Sequence, residues 1–354
     1  MTGLTGMFSE RYTFDDIPDQ TGKVALVTGG SAGIGAQIVL GLALNGAEVH
    51  FISTTPAHGE ETESHTKSAL TSASTSSHAY AQRAAKGKVI YHQLDLGDLS
   101  AVKAFGEGFP ETIGGKEKGL DLVVCNAGIG VAEYAKTKDG LACHFGVNHI
   151  SHMLLIHTLL PLLDSTSQLP RNAGKKGAVR VVMQASQQHK LCPSDVKFES
   201  FEECQKDIGG NGNYARSKLM NILYAKELSI RKLIPSPISN RILTISVHPG
   251  AVATDQEKAA QEPYGLLGTA LVAASRVFFM SPEQGSESAL WAATSGKVEG
   301  DEAVVQKYQG AYLTQPNDSL GNETNQAKDM ELAKRLWDIS VNVIKDKVGV
   351  VIDY

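Results

Sequence analysis

The chain has 354 residues, of which 42% are hydrophobic and 20% are charged, and its formal net charge is −5 at pH 7. A chain of this length and composition can bury a full core, as one large α/β domain or as two smaller ones. The acidic balance, with no basic run longer than two residues, argues against a nucleic-acid-binding surface. The cysteines are Cys125, Cys143, Cys192 and Cys204. They form no C-x-x-C pair, which argues against a zinc site or a disulfide framework and fits a reducing compartment.

No segment reaches the roughly 18 uninterrupted apolar residues that a membrane-spanning helix needs. The nearest, residues 265–280, is interrupted by Thr269, Ser275 and Arg276. The first 20 residues contain four acidic side chains and no apolar run of the signal-peptide type. We therefore expect a cytoplasmic protein without an integral membrane span.

Short β-branched runs alternate with helical patterns along the chain. The predicted strands are Lys23–Thr28, Glu48–Ser53, Val89–Leu94, Leu120–Asn126, Ala178–Ala185, Arg241–Val247 and Gly310–Leu313. The predicted helices are Ile34–Asn45, a long one within Gly59–Ala85, Leu99–Glu107, Cys143–Leu163, Tyr214–Arg231, Pro282–Ala293 and Lys328–Lys345. Several strands are almost continuously apolar, as strands buried in parallel sheets are. The alternation predicts an α/β fold with a doubly wound, seven-stranded parallel sheet and helices on both faces.

We find no internal repeat and no linker that separates two domains. The sequence therefore predicts one domain with a core over about residues 20–316, an N-terminal extension over 1–19 and a C-terminal helical tail over 317–354.

A glycine-rich turn joins the first strand to the first helix. Residues 28–35 read Thr-Gly-Gly-Ser-Ala-Gly-Ile-Gly. In this context Gly29, Gly33 and Gly35 allow a tight turn, the close approach of a pyrophosphate and close packing of helix on strand. The alternative is a glycine-rich loop that binds no ligand.

The end of the second strand indicates which dinucleotide is preferred. An acidic residue at this point binds the ribose 2′-hydroxyl of NAD. Here the chain has Ser53, Thr54 and Thr55, and the first acid is Glu60. No carboxylate repels a 2′-phosphate and hydroxyls can donate to one, so NADP(H) is predicted, with NAD(H) still possible.

Tyr214 and Lys218 lie four residues apart, which places them on one face of a helix. A tyrosine has an ordinary pKa near 10, and a nearby ammonium favours the phenolate and lowers that pKa. Such a tyrosine can exchange a proton with an alcohol or carbonyl while hydride moves to or from nicotinamide. Taken alone, the same spacing also occurs on ordinary helix surfaces.

Together with other motifs in the same order, these features resemble the short-chain dehydrogenase/reductase family over most of residues 20–300. The family's cofactor turn, T-G-x-x-x-G-x-G, corresponds to residues 28–35. Further matches are Asp95 after the third strand, Asn126-Ala127-Gly128, Val147-Asn148-His149, Ser186 at the end of the fifth strand, Tyr214 with Lys218, Pro249-Gly250, and Val252-Ala253-Thr254. The long interval from Ser186 to Tyr214 and the His248-Pro249-Gly250 turn are similar to the subgroup of retinol dehydrogenases and light-induced fungal alcohol dehydrogenases.

The resemblance implies a single-domain Rossmann fold and a catalytic set of Asn148, Ser186, Tyr214 and Lys218. The cofactor-binding residues that it implies are Gly29, Ser31, Gly33, Ile34, Gly35, Ser53, Thr54, Asp95, Leu96, Asn126, Ala127, Gly128, Tyr214, Lys218, Pro249, Gly250, Val252 and Thr254. Two departures stand out: Thr54 occupies a position where that subgroup often has Arg, and the N-terminal anchor of its animal members is not seen.

The leading functional prediction is an NADP(H)-dependent oxidoreductase acting on a lipophilic alcohol or carbonyl. The alternatives are a dinucleotide-sensing regulator on the same fold and an epimerase or dehydratase, whose branch uses the different glycine spacing T-G-x-x-G-x-x-G. The apolar segment 255–280 is predicted to cover the substrate as a partly mobile lid, or else to pack permanently on the core. His189, three residues after Ser186, is placed near the substrate entrance rather than in the catalytic set.

The helix over Cys143–Leu163 is apolar around much of its circumference, more than one buried face requires. This predicts a homodimer through the helices that carry Asn148 and Tyr214. The alternative is that the long C-terminal tail covers them.

Overall fold

The computed structural model describes residues 11–172, 178–231, 242–250, 280–300, 302–316 and 320–353. The strands are β1 (Val24–Thr28), β2 (Glu48–Ser53), β3 (Lys88–Gln93), β4 (Leu122–Cys125), β5 (Val179–Gln184), β6 (Ile242–Val247) and β7 (Tyr312–Leu313). They form one sheet in the order β3-β2-β1-β4-β5-β6-β7, and every neighbouring pair is parallel. The order reverses between β1 and β4, as in a doubly wound sheet, so the predicted fold class is confirmed.

The helices in chain order are α1 (Gly33–Leu44), α2 (Pro56–Ser74), α3 (Ala81–Ala84), α4 (Leu99–Thr112), α5 (Cys143–Phe145), α6 (Ser151–Ser167), α7 (Phe201–Gln205), α8 (Gly210–Ile230), α9 (Pro282–Thr294), α10 (Glu302–Tyr308), α11 (Asn325–Lys328) and α12 (Met330–Val348). A π-helical turn over Gly146–Ile150 joins α5 to α6. Shorter 3₁₀ turns cover Phe14–Asp16, Gln187–Leu191 and Gly296–Val298.

The long helix predicted within Gly59–Ala85 is instead two helices, α2 and α3. The first ends at Ser74, within the Ser/Thr-rich stretch of the sequence. There Thr75 donates to the carbonyl oxygen of Ser72, and Ser76 donates to that of Ala73. Hydroxyls that bond to nearby backbone compete with helix continuation, which explains the break.

Two apolar layers cover the two faces of the sheet. One contains side chains of α4, α6, α8 and α12, and the other contains those of α1 and α9. Strands β1, β4, β5 and β6 are buried at every position, as expected for strands covered on both faces. Because all strands run in one direction, their carboxyl ends meet at one edge, where loops carry the predicted site residues.

The C-terminal helix α12 packs on α8 and α4. Trp337 stacks on Tyr224 with ring centroids 5.9 Å apart, and the Arg231 guanidinium lies 4.5 Å from the Trp337 ring. His149 Nε2 lies 2.8 Å from the Ser340 hydroxyl. These contacts tie the C-terminal tail to both helices that were predicted to form a dimer interface.

The apolar side chains of α6 that suggested the dimer are all buried within one chain: Met153, Leu154, Leu155, Ile156, Leu159 and Leu160. Packing inside the chain therefore accounts for them without a second copy. The apolar character of α6 is no longer evidence for a homodimer through these helices, and the homodimer itself stays a prediction.

Three predictions concern residues that are not among those described. These are the cofactor contacts of Val252 and Thr254, and the lid over 255–280, of which only Met280 is described. Within the described part of the chain, no helix combines the length and the apolar character that crossing a membrane requires.

Candidate active site

The glycine turn after β1 has the geometry of an anion-binding turn. Gly29 adopts a φ of +64°, in the left-handed region that glycine tolerates. A Cβ on Gly35 would lie 2.0 Å from the Gly29 carbonyl oxygen, so only glycine fits there. The N-cap of α1 is Ala32, which has no side chain to cap the helix. The first N–H groups of α1 are therefore available to a phosphate group.

A cavity of about 450 Å³ opens over this turn at the carboxyl ends of the strands. Every predicted cofactor-binding residue from Gly29 to Pro249 lines it, whereas Gly250 follows without lining it. Sequence reasoning missed several lining residues: Ala32, Ile52, Leu94, Ile129, Val147, Gln184 and Ala185. Most of these directly adjoin a recognised motif. Apart from Gln184, their side chains are apolar and give no chemical signal, although their positions beside the motifs could have identified them.

Two polar residues shape the middle of the cavity. The Asn126 side-chain amide donates to the carbonyl oxygens of Thr28 and Gly29, each at 3.1 Å. It therefore ties the end of β4 to the glycine turn. Asp95 accepts a 2.7 Å hydrogen bond from the Gly97 N–H and lines the cavity beyond β3.

At the end of β2, Ser53 is buried and its hydroxyl lies 2.7 Å from the Ser31 hydroxyl. Thr54 follows as an exposed residue at the rim, and helix α2 begins at Pro56. The α2 N-cap, Thr55, makes no side-chain capping bond. Among the described residues that line the cavity, Asp95 is the only acid. The β2 end of the cavity thus presents hydroxyls rather than a carboxylate, and helix α2 begins two residues after the lining residue Thr54.

Tyr214 lines the cavity, and Ser186, which is not among the lining residues, lies within hydrogen-bonding distance of Tyr214. Ser186 follows β5 and caps the 3₁₀ turn over Gln187–Leu191, where its hydroxyl accepts a 3.1 Å bond from the Gln188 N–H. Burial raises the pKa of Tyr214 above its usual range, while a hydrogen bond with Ser186 opposes that rise. The net direction is opposite to the lowering predicted from the Tyr–Lys spacing, because burial outweighs the favourable contacts.

Lys218 lies one turn after Tyr214 on α8, with its Nζ 5.4 Å from the Tyr214 ring centroid. The ammonium donates a 2.9 Å hydrogen bond to the Gln184 carbonyl oxygen at the end of β5. Burial lowers the pKa of Lys218 to about 8. The charge is therefore held in a poorly solvated position beside the phenol, where electrostatic effects are strong.

Asn148 lies in the π-helical turn, a local widening of the kind often found at functional sites. Its side chain holds the backbone of Ile129: Oδ1 accepts from the N–H at 2.7 Å and Nδ2 donates to the carbonyl at 3.0 Å. Nδ2 also donates to the Ser217 hydroxyl at 2.9 Å. A Cβ on Gly128 would lie 3.3 Å from Asn148 Oδ1 and 3.5 Å from Lys218 Nζ. The structure thus brings the Asn148 and Lys218 side chains close to one glycine, Gly128.

His189, predicted near the substrate entrance, is fully buried instead. Its ring packs edge-on against Tyr312 with centroids 5.1 Å apart. The ring therefore lies in the interior of the protein, against β7.

Comparisons with known proteins agree with this geometry. The model of the short chain dehydrogenase family matches residues 23–186. Human retinol dehydrogenase 14 is 31% identical over 320 residues, which cover 90% of this chain and 85% of the relative. The Neurospora crassa oxidoreductase bli-4, named as mitochondrial, is 30% identical over 340 residues, covering 95% of this chain and 75% of that protein.

Among solved structures, the L-sorbose reductase of Gluconobacter frateurii, complexed with NADPH and L-sorbose, superposes with a TM-score of 0.58. It is 19% identical, and the match covers 85% of this chain and 97% of that chain. This likeness supports the fold alone. The family model and the relatives named above show that the chain is an oxidoreductase of the short-chain dehydrogenase/reductase family, in the subgroup that includes the retinol dehydrogenases.

Proposed function

We propose that this protein is an NADP(H)-dependent oxidoreductase that interconverts a lipophilic primary or secondary alcohol and its aldehyde or ketone. The observation that carries the proposal is that Tyr214, which has Ser186 and Lys218 beside it, lines the same cavity as a glycine turn on a helix N-terminus. This arrangement suits a dinucleotide whose phosphates lie at α1 and whose reactive end lies beside Tyr214.

In this mechanism the Ser186 hydroxyl donates a hydrogen bond to the substrate oxygen. Tyr214 gives a proton to that oxygen in reduction and takes it back in oxidation. A bound nicotinamide supplies or accepts the hydride at the substrate carbon. The Lys218 ammonium, 5.4 Å from the ring, favours the phenolate form that Tyr214 adopts when its proton has left. Asn148 holds Ile129 in the cavity wall, which keeps that wall in place during turnover.

The β2 end of the cavity supports NADP(H) over NAD(H). Hydroxyls of Ser31 and Ser53 and the uncapped N-terminus of α2 all favour an anion, and no carboxylate among the described lining residues opposes one there. The fold neighbour complexed with NADPH is consistent with the same choice.

The lipophilic substrate class rests on the apolar sequence after Thr254 and on the relatives named for retinol. The test is a panel of alcohols and carbonyls from small polyols and sugars to long apolar alcohols, assayed by nicotinamide absorbance with both cofactors. We expect turnover with NADP(H) that rises with the apolar size of the substrate. Cofactor binding without turnover of any member would favour a sensing regulator, and a preference for sugars would remove the lipophilic assignment.

A further inference from the structure

The side chain of His189 connects the 3₁₀ turn that follows Ser186 to residues 320–328, which we call the C-terminal segment. The His189 Nδ1 lies 2.7 Å from the Ser186 carbonyl oxygen. On the other edge of the ring, Nε2 accepts a 3.3 Å hydrogen bond from the backbone N–H of Thr324, 135 residues further along the chain. The imidazole is therefore a bridge between the residue proposed to hold the substrate oxygen and a distant segment.

The two backbone partners fix the protonation state of the bridge. A carbonyl oxygen can only accept a hydrogen bond, and a backbone N–H can only donate one. Nδ1 must therefore carry the hydrogen and Nε2 must carry the lone pair, which is one neutral tautomer. Burial independently lowers the pKa of His189 and so favours the neutral ring.

The segment that supplies Thr324 is itself held firmly in place. Glu323 pairs with Lys226 of α8 at 3.0 Å. The Gln326 side chain donates to the carbonyl oxygens of Pro193 and Val196, each at 3.1 Å, just beyond the 3₁₀ turn. The C-terminal segment thus contacts both the helix that carries Tyr214 and the loop that carries Ser186.

We propose that His189 is a positioning residue for Ser186, and that the Thr324 N–H, by selecting the His189 tautomer, makes the C-terminal segment part of the active-site assembly. The inference rests on the proposed function, because it assumes that the Ser186 hydroxyl contacts the reacting oxygen. The bond to the Ser186 carbonyl acts with the capping bond from the Gln188 N–H. The two fix the backbone and the hydroxyl of Ser186 from opposite sides, as a positioned catalytic group requires.

Two substitutions at His189 separate the two bonds. An Asn side chain places an amide near the Nδ1 position, so His189→Asn can keep the donor to Ser186. A Gln side chain reaches the Nε2 position, so His189→Gln keeps a partner for Thr324 and loses that donor. We expect kcat of His189→Asn to stay within about threefold of wild type and kcat of His189→Gln to fall by about ten- to a hundredfold, the scale of a 1 Å misplacement. We expect the KM for the substrate and the Kd for the cofactor to change little in both.

A second pair of variants leaves the histidine in place. Thr324 has a φ of −68°, which proline adopts, so Thr324→Pro removes the N–H donor. Thr324→Ala is the matched control, because both variants lose the hydroxyl that caps α11 at Ala327 and only the proline loses the N–H. We expect kcat to be lower in Thr324→Pro than in Thr324→Ala by about ten- to a hundredfold, again the scale of a small misplacement.

Nitrogen-15 NMR of labelled histidine gives a readout that needs no substrate. Wild type should show His189 with its hydrogen on Nδ1. Thr324→Pro should show a larger share of the Nε2 tautomer, because only the Ser186 carbonyl oxygen then selects the Nδ1 form. Equal kcat in the two members of each pair, or a wild-type hydrogen on Nε2, would overturn the inference. A wild-type enzyme that turns over no substrate, with the Nδ1 tautomer intact, would instead refute the proposed function and leave the bridge standing.

Discussion

At the residue scale, the proposed preference for NADP(H) can be tested at a single side chain at the end of β2. Ser53 is buried beside Ser31, and its hydroxyl is 2.7 Å from the Ser31 hydroxyl. An Asp at this position would place a carboxylate where a 2′-phosphate is expected and would repel it.

We therefore predict that Ser53→Asp shifts the ratio of kcat/KM for NADP(H) and NAD(H) by at least about tenfold toward NAD(H), equivalent to about 1.4 kcal/mol. Ser53→Ala is the control, since it removes the hydroxyl without adding charge, and its ratio should change much less. A wild-type enzyme that already prefers NAD(H) would show that the interpretation of this strand end is wrong.

Buried histidines make the stability of this protein sensitive to acid. Burial lowers the pKa of His149 to about 3 and that of His152 to about 4, from the ordinary value of 6.5. Below about pH 6.5 the unfolded chain binds protons that the folded chain does not, so stability is lost as pH falls toward 4. Each such group contributes a slope of about 1.4 kcal/mol per pH unit inside that window.

The measurement is the free energy of unfolding in urea from pH 7 to pH 5, for wild type and for His149→Phe. Phenylalanine keeps an aromatic ring between Phe145 and Tyr224 and removes the titrating group. Over the lower half of this range, the free energy of unfolding should change with pH less steeply in the variant than in wild type. The difference should be roughly 1.4 kcal/mol per pH unit, which corresponds to one proton. An identical slope in both proteins would exclude His149 as a contributor.

Individual residues also show which features of the site could be predicted from the sequence. The roles of Gly29 and Gly35 follow from a strand, a turn and a helix that are contiguous in the chain, so they were predictable. The bridge through His189 was not, because its two partners are set by tertiary packing between residues 135 positions apart. The direction of the Tyr214 pKa shift was wrong in the prediction, because spacing shows a neighbouring charge and does not show burial.

At the scale of elements, all seven strands were predictable. The clearest were β1, β4, β5 and β6, which are buried at every position, because strands covered on both faces are largely apolar runs. The start of α9 was also readable: Ser281 and Gln284 form a capping box, with Pro282 at the first helical position. Hydrophobic periodicity recorded neither the π-helical turn at Asn148 nor the break after α2. The turn depends on its backbone geometry, and the break depends on hydroxyl side chains that bond to nearby carbonyl oxygens.

The C-terminal helix α12 gives the sharpest test at this scale. Trp337 is buried against Tyr224 and beneath Arg231. We predict that Trp337→Ala lowers the free energy of unfolding by about 3–5 kcal/mol, as truncation of a large buried aromatic does. Lys334→Ala, on the exposed side of the same helix, should change it by less than about 0.5 kcal/mol. A loss below about 1 kcal/mol in the Trp337 variant would mean that α12 is not a firm part of the core.

At the scale of the whole molecule, the apolar helices have two possible explanations, a homodimer or burial under the C-terminal tail. The two predict different molecular masses in solution. In the structure α12 covers α8, and the apolar side chains of α6 are buried in one chain. If packing within one chain is the whole explanation, light scattering at micromolar concentration gives the mass of one chain. A dimeric mass would support the homodimer predicted from the sequence, and loss of that dimer in a variant of α6 or α8 would locate its interface there.

In the proposed mechanism, Tyr214 exchanges a proton with the substrate oxygen while hydride passes between the substrate carbon and a bound dinucleotide. Tyr214→Phe keeps the ring and its packing and removes only the hydroxyl, so the measurement is turnover and cofactor affinity of this variant against wild type with the best substrate of the panel. We expect unchanged cofactor affinity and a kcat at least about a hundredfold lower, the scale of general acid–base catalysis. A variant that turns over within a few-fold of wild type would contradict it.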